Sequence, residues 1–168
     1  MITDMNKRLI FSTIIPIVFI VPSVSFANVS ITEIMYDVSG SDTGREWVEI
    51  SVDSNTDISN WKFFEANTNH ALTLISGSTV IPTGGVAVIA DNTDKFLLDH
   101  PSFSGTLFDS SFSLNNTGET IAIRNADGVD VDSVLYNPAL GAAGDGNSLQ
   151  KINGIWAAAA PTPGTYSA

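Results

Sequence analysis

The chain has 168 residues, two histidines and no cysteine, with 18 acidic against seven basic side chains. The missing thiols exclude disulfide staples, thiol catalysis and zinc–thiolate sites. The acidic balance repels phosphate backbones and anionic lipid heads, which argues against direct nucleic-acid binding and leaves a basic or divalent-cation partner easier to accept.

The first segment reads as an address rather than as fold. Lys7 and Arg8 precede an apolar run from Leu9 to Val24, and Ser25-Phe26-Ala27 then sets small residues three before and one before a cut ahead of Asn28. This order is what an export signal needs. The run is short for a membrane span and holds Pro16 and Pro22, so cleavage is expected over retention as an anchor. The expected organisation is a signal peptide at 1–27 and one domain at 28–168, exported to a periplasm, the cell surface or the medium. Losing Asp4, Lys7 and Arg8 leaves 17 acidic and five basic side chains, a net charge of −12. A domain of this length can hold one hydrophobic core, stabilised by packing alone.

The rest is a series of short apolar or alternating runs divided by Gly, Pro, Asn, Asp and Ser. Strands are expected at 29–36, at 46–52 with Val48 and Ile50 opposite Trp47 and Glu49, at 60–65, at 71–75 and at 85–90. The clearest pair is 120–124 with 129–136, because Asp127-Gly128 between two β runs is a hairpin signal. In its second strand Val129, Val131 and Ser133 are expected inward, with Asp130 and Asp132 outward. Asn92-Thr93-Asp94 reads as the cap of a short helix ending before Pro101. The tail Ala157–Gly164 has two prolines and is expected to lie extended along an edge. The expected core is Ile31, Ile34, Val48, Ile50, Trp61, Phe63, Leu72, Leu74, Val86, Val88, Ile121, Ile123, Val131 and Val134. Turn spacing with almost no helical period gives an all-β sandwich or barrel.

Three features carry possible chemistry. Trp47, Trp61 and Trp156 can form a sugar platform, but large rings in a small sandwich are expected to bury. Glu33 and Glu49 lie on strands that plausibly pair, so their carboxylates can face each other, as acid/base catalysis or cation sharing requires, or sit at a sheet margin bonded to backbone amides. The loop from Asp37 to Glu46 offers Asp37, Asp42 and Glu46 as hard oxygen ligands for Ca²⁺. Its spacing does not fit an EF-hand, since Asp42 stands where that loop needs glycine, and the bland alternative is a solvated loop with local turns. No phosphate-binding glycine loop, nucleophile elbow or basic–aromatic stripe is present.

Ordered blocks along the chain resemble the lamin tail domain family. Ile31-Thr32-Glu33-Ile34 followed by Glu46-Trp47-Val48-Glu49-Ile50 is similar to its opening pair of strands. Ile58-Ser59-Asn60-Trp61, the Pro82-Thr83-Gly84 turn before Val86–Ala90, Leu114–Gly118-Glu119 and Asp127-Gly128 through Tyr136 follow in the family's order. Ser148-Leu149-Gln150-Lys151 and Thr162-Pro163-Gly164 resemble its closing elements. The second strand departs from the pattern, running on as Ser51-Val52-Asp53. The resemblance implies an immunoglobulin-like β-sandwich, of seven to nine strands in a Greek key, used for binding or assembly and not an enzyme. The expected function is a non-catalytic exported or cell-surface binding module with a protein or cell-surface partner. The alternatives are a self-assembling structural subunit and a calcium- or carbohydrate-binding accessory module.

Overall fold

The structure is a computed structural model that describes residues 29–166. The expected signal peptide therefore lies outside the described residues. Among the described residues no helix is long and apolar enough to cross a membrane.

The chain forms β1 (Val29–Met35), β2 (Trp47–Val52), β3 (Thr56–Asp57), β4 (Lys62–Glu65), β5 (Thr68–Ala71), β6 (Thr73–Ser76), β7 (Val80–Ile81) and β8 (Val86–Ala90). After the helix α1 (Thr93–Asp99) come β9 (Thr106–Asp109), β10 (Glu119–Arg124), β11 (Asp130–Tyr136), β12 (Ser148–Ile152) and β13 (Ile155–Ala159). A seven-stranded sheet in the order β13-β12-β1-β2-β8-β9-β6 faces a four-stranded sheet β11-β10-β4-β5, and β3 pairs with β7. The architecture is thus the expected all-β sandwich, with more and shorter strands than the seven to nine of the sequence reading.

The main core lies between the sheets and includes Ile31, Ile34, Tyr36, Val48, Ile50, Phe63, Ile121, Ile123, Val134, Tyr136 and Leu149. Ile31 and Ile34 are three apart, which a regular strand would send to opposite faces. A bulge resolves this: the register with β2 shifts between Ile31 and Glu33, leaving Thr32 as the extra residue. The backbone N–H of the buried Ile31 is taken across the sandwich by Asp132 Oδ2 at 2.8 Å. A second apolar cluster covers the outer face of the large sheet, where Met35, Trp47, Val88 and Leu107 pack under Phe96 of α1. Val88 therefore belongs to this outer layer and not to the main core. Trp47 is buried edge-on to Phe96 at 5.9 Å, and Trp61 and Trp156 are half-buried against the main core.

The helix forms as its cap predicts, Asn92 accepting the Lys95 N–H at 3.0 Å. It links β8 to β9, which run parallel, a connection that a hairpin cannot make. Several expectations are corrected. Residues 71–75 are not one strand but the junction of β5 and β6, which belong to different sheets, so Leu74 is 38% exposed. Val86 is half-buried and in neither cluster, whereas Leu72 and Val131 are half-buried against the main core. The register of β11 against β10 shifts between Ile123 and Arg124, so the alternation breaks: Val129 is 58% exposed, Ser133 is exposed, and Asp132 is drawn towards β1. The expected hairpin itself stands, with Gly128 at φ +78° in its turn.

Candidate functional site

The bulge in β1 sets Glu33 directly opposite Glu49 on the outer face of the large sheet. Both are buried, at 2% and 1% exposure, which is rare for carboxylates without partners. The partners come from the end of the chain. After β13 the backbone turns back over the sheet, and Thr162 gives Glu33 its N–H at 3.0 Å and its hydroxyl at 3.1 Å. Ser148 and Gln150 of β12 also donate to Glu33. Glu49 accepts the Gly164 N–H at 2.7 Å and the Thr32 hydroxyl at 3.0 Å. Burial pushes both carboxyls up and these donors pull them back; Glu49 stands at about 7, with the charge of Glu33 adding to the rise. A cavity of about 320 Å³ remains between the pair, Lys151 and Tyr166.

The pairing of Glu33 with Glu49 is thus as the alternation of the two strands suggested. What the sequence did not reveal is the ring of donors. Ser148, Gln150, Thr162 and Gly164 lie more than 110 residues from the carboxylates they serve. The arrangement fastens the C-terminal segment to the sheet.

The loop residues are distributed differently. Asp42 accepts the side-chain amide of Asn116 at 2.8 Å. Asp37 is pushed up by burial and by the nearby charges of Asp42 and Asp145, so three aspartates share one end of the sandwich. Glu46 feels the charge of Asp42 but is engaged inside the sandwich. It is 4% exposed and its Oε2 accepts the Leu114 N–H at 2.7 Å; burial raises it to about 8. Among the described residues no group of three or more His, Cys, Asp or Glu side chains is placed to hold a metal ion. Asp145 was missed; the signal for it is the Gly144-Asp145-Gly146 turn. The histidines lie apart, His70 with Nε2 at 2.9 Å from Glu65 and His100 against Trp47 and Phe96.

Two sheets face to face over one core, with Tyr36 and Tyr136 stacked at 4.8 Å and both hydroxyls spent on backbone carbonyls, define an immunoglobulin-like β-sandwich. The sequence model of the lamin tail domain matches residues 22–138, and the chain belongs to that family, a family of non-enzymatic domains. Comparison with the curated proteins and with the solved structures finds no match. The matched span closes before β12, so β12, β13 and the segment over Glu33 and Glu49 lie beyond it.

Proposed function

We propose that this chain is an exported, non-catalytic binding module that acts through its loops and sheet edges on a protein or cell-surface partner. The observation that carries the reading is the state of the one carboxylate pair that resembles catalytic machinery. Glu33 and Glu49 are engaged by the chain's own hydroxyls and backbone N–H groups, the way a fold is fastened rather than the way a substrate is met. The order of charge, apolar run and small-residue exit at residues 1–27 supports export. The acidic surface supports a partner that is not nucleic acid.

The test has two arms. Fractionation of the producing cells followed by N-terminal sequencing is expected to give an exported chain beginning at Asn28, and a chain retained inside with Met1 intact would overturn export. Labelled chain added to those cells is expected to bind saturably and to be displaced by unlabelled chain; binding that never saturates would overturn the module reading.

Calcium is not part of this proposal, because Glu46 is buried and spends one carboxylate oxygen on the Leu114 N–H. Millimolar Ca²⁺ is expected to move the melting temperature no further than a salt control of equal ionic strength. A larger shift would restore a calcium site at Asp37 and Asp42, completed by Asp145.

A further inference from the structure

Among the described residues the seven-stranded sheet ends on β13, with no strand beyond it. Natural edges are usually blunted by charge, proline, bulges or cover. The other end of this sheet, β6, carries a bulge between Leu74 and Ser76, and the edge strand β11 carries Asp130, Asp132 and a register shift. β13 carries no charge, proline or bulge, and its cover is limited to the turn at 138–141, which packs against Ala158. Its sequence is Ile155-Trp156-Ala157-Ala158-Ala159, and it pairs with β12 in unbroken register from Ser148↔Ala159 to Ile152↔Ile155. Ile155 is 71% exposed and Ile152 beside it 44%.

The hairpin geometry says which backbone groups are free. The loop between β12 and β13 is Asn153-Gly154, both left-handed at φ 50° and 77°. In a two-residue hairpin of this kind the flanking pair, here Ile152 and Ile155, exchanges hydrogen bonds, and every second pair does so after it. Ile155, Ala157 and Ala159 therefore aim their N–H and C=O groups at β12. Those of Trp156 and Ala158 point outward.

We propose that the β13 edge pairs antiparallel with β13 of a second copy of this chain, about a two-fold axis through Ala157. In that register Trp156 faces Ala158 of the second copy and exchanges both backbone hydrogen bonds with it, so the contact uses the two residues whose groups are free. Ile155 faces Ala159 and Trp156 faces Ala158, so each large side chain meets a small one. An isologous contact has to be complementary to itself in this way. Charge does not oppose this contact. Copies bearing −12 repel over most of their surface, and this strand brings no acidic residue to the contact. Five residues a side give an interface in the small, transient class, below ~1,200 Å². The dimer therefore exchanges with monomer as concentration changes. This inference goes beyond the binding reading: a chain that is monomeric at every concentration would overturn the dimer and leave that reading standing.

The chain has no cysteine, which makes cross-linking a clean test. Ala157→Cys sets two thiols across the axis on a non-hydrogen-bonded pair, with Cα atoms about 4.5 Å apart and within disulfide range. Leu135→Cys, 67% exposed on β11, is the control for random collision. Under mild oxidation Ala157→Cys is expected to form covalent dimer at least about tenfold faster than Leu135→Cys, since the pairing raises the local thiol concentration. Sedimentation of the wild-type chain is expected to show dimer growing with concentration. Ala157→Lys, with two ammonium groups facing across the axis, is expected to remove it. Equal cross-linking rates, a wild-type chain monomeric throughout, or a dimer undiminished in Ala157→Lys would each overturn the proposal. A monomer throughout would leave the edge to a foreign strand.

Discussion

The melting temperature of the protein is expected to fall as the pH is raised from about 5 to about 8.5. The cause is the set of carboxyls buried in the sandwich. Glu46 titrates near 8 and Glu49 near 7 in the fold, against 4.5 in an unfolded chain, and burial is the largest cause in both. Between those limits the native state keeps a proton that the unfolded chain has released, so raising the pH favours unfolding. The stabilisation is complete below about 4.5 and is lost as the pH passes through 7 for Glu49 and 8 for Glu46. Each such group costs about 1.4 kcal/mol per pH unit inside its window. From pH 5, three pH units for Glu46 and two for Glu49 set an upper bound of about 7 kcal/mol, and solvent screening of these partly buried groups brings the expected loss to about 3 kcal/mol, or about 10 °C.

His100 works in the opposite direction, because burial holds it below its ordinary 6.5. Its stabilisation is present above 6.5 and is lost as the pH falls through its lower folded value. The two trends oppose each other only below 6.5, so the steepest fall is expected between about 6.5 and 7, where both carboxyls contribute, with Glu46 alone continuing it to about 8. Glu46→Gln isolates the largest contributor. Its amide oxygen can still accept the Leu114 N–H, and it has no proton to lose. Thermal melts of both proteins over this range, at fixed ionic strength to hold surface repulsion constant, are expected to give the variant a clearly shallower slope. Identical slopes would mean that Glu46 does not hold its proton in the fold.

Glu46 also shows where local reading reaches its limit. It shares the parity of Val48 and Ile50, the inward one, but its place at the end of an acidic loop made it read as a calcium ligand instead. Ile31 and Ile34 were both expected in the core although three apart, and the bulge that allows this and sets Glu33 against Glu49 was not foreseen. The helix cap at Asn92 and the turn at Asp127-Gly128 were legible because each is decided within four residues. Asn153-Gly154 is an equally strong hairpin signal, yet the alanines after it have weak strand preference and no alternation, so β13 is a strand because β12 pairs with it. Leu74 looked inward because the switch between sheets at Leu72 has no local mark. The donors to Glu33 were out of reach for a simpler reason: they arrive from the far end of the chain, and no periodicity connects residues 33 and 162.

Replacing Glu33 by alanine is expected to be among the most destabilising single changes on this face of the sheet. The carboxylate is the acceptor for Ser148, Gln150 and both polar groups of Thr162. Removing it leaves the hydroxyl of the fully buried Ser148 only the Ala159 carbonyl, at a poor 3.5 Å, and unfastens Thr162 from the sheet. Each buried donor left without an acceptor costs about 1–3 kcal/mol, so a loss of about 3 kcal/mol is expected. Glu33→Gln keeps an acceptor oxygen and is expected to recover part of it. Glu49→Ala is expected to cost less, because its donors are Gly164 N–H and the Thr32 hydroxyl, and Thr32 can turn back to the Glu49 carbonyl at 3.3 Å. Truncation after Ala160 supplies the decisive comparison. If Glu33 acts by fastening the segment, much of its effect disappears once the segment is gone, and the double change costs clearly less than the sum of the single ones. Chemical denaturation of the four proteins gives that cycle directly, and strict additivity would mean that the carboxylate supports the sheet by some route other than the C-terminal segment. Hydrogen exchange adds a local readout: the Gly164 amide is expected to lose protection in Glu49→Ala, while amides in the β10–β11 hairpin keep theirs.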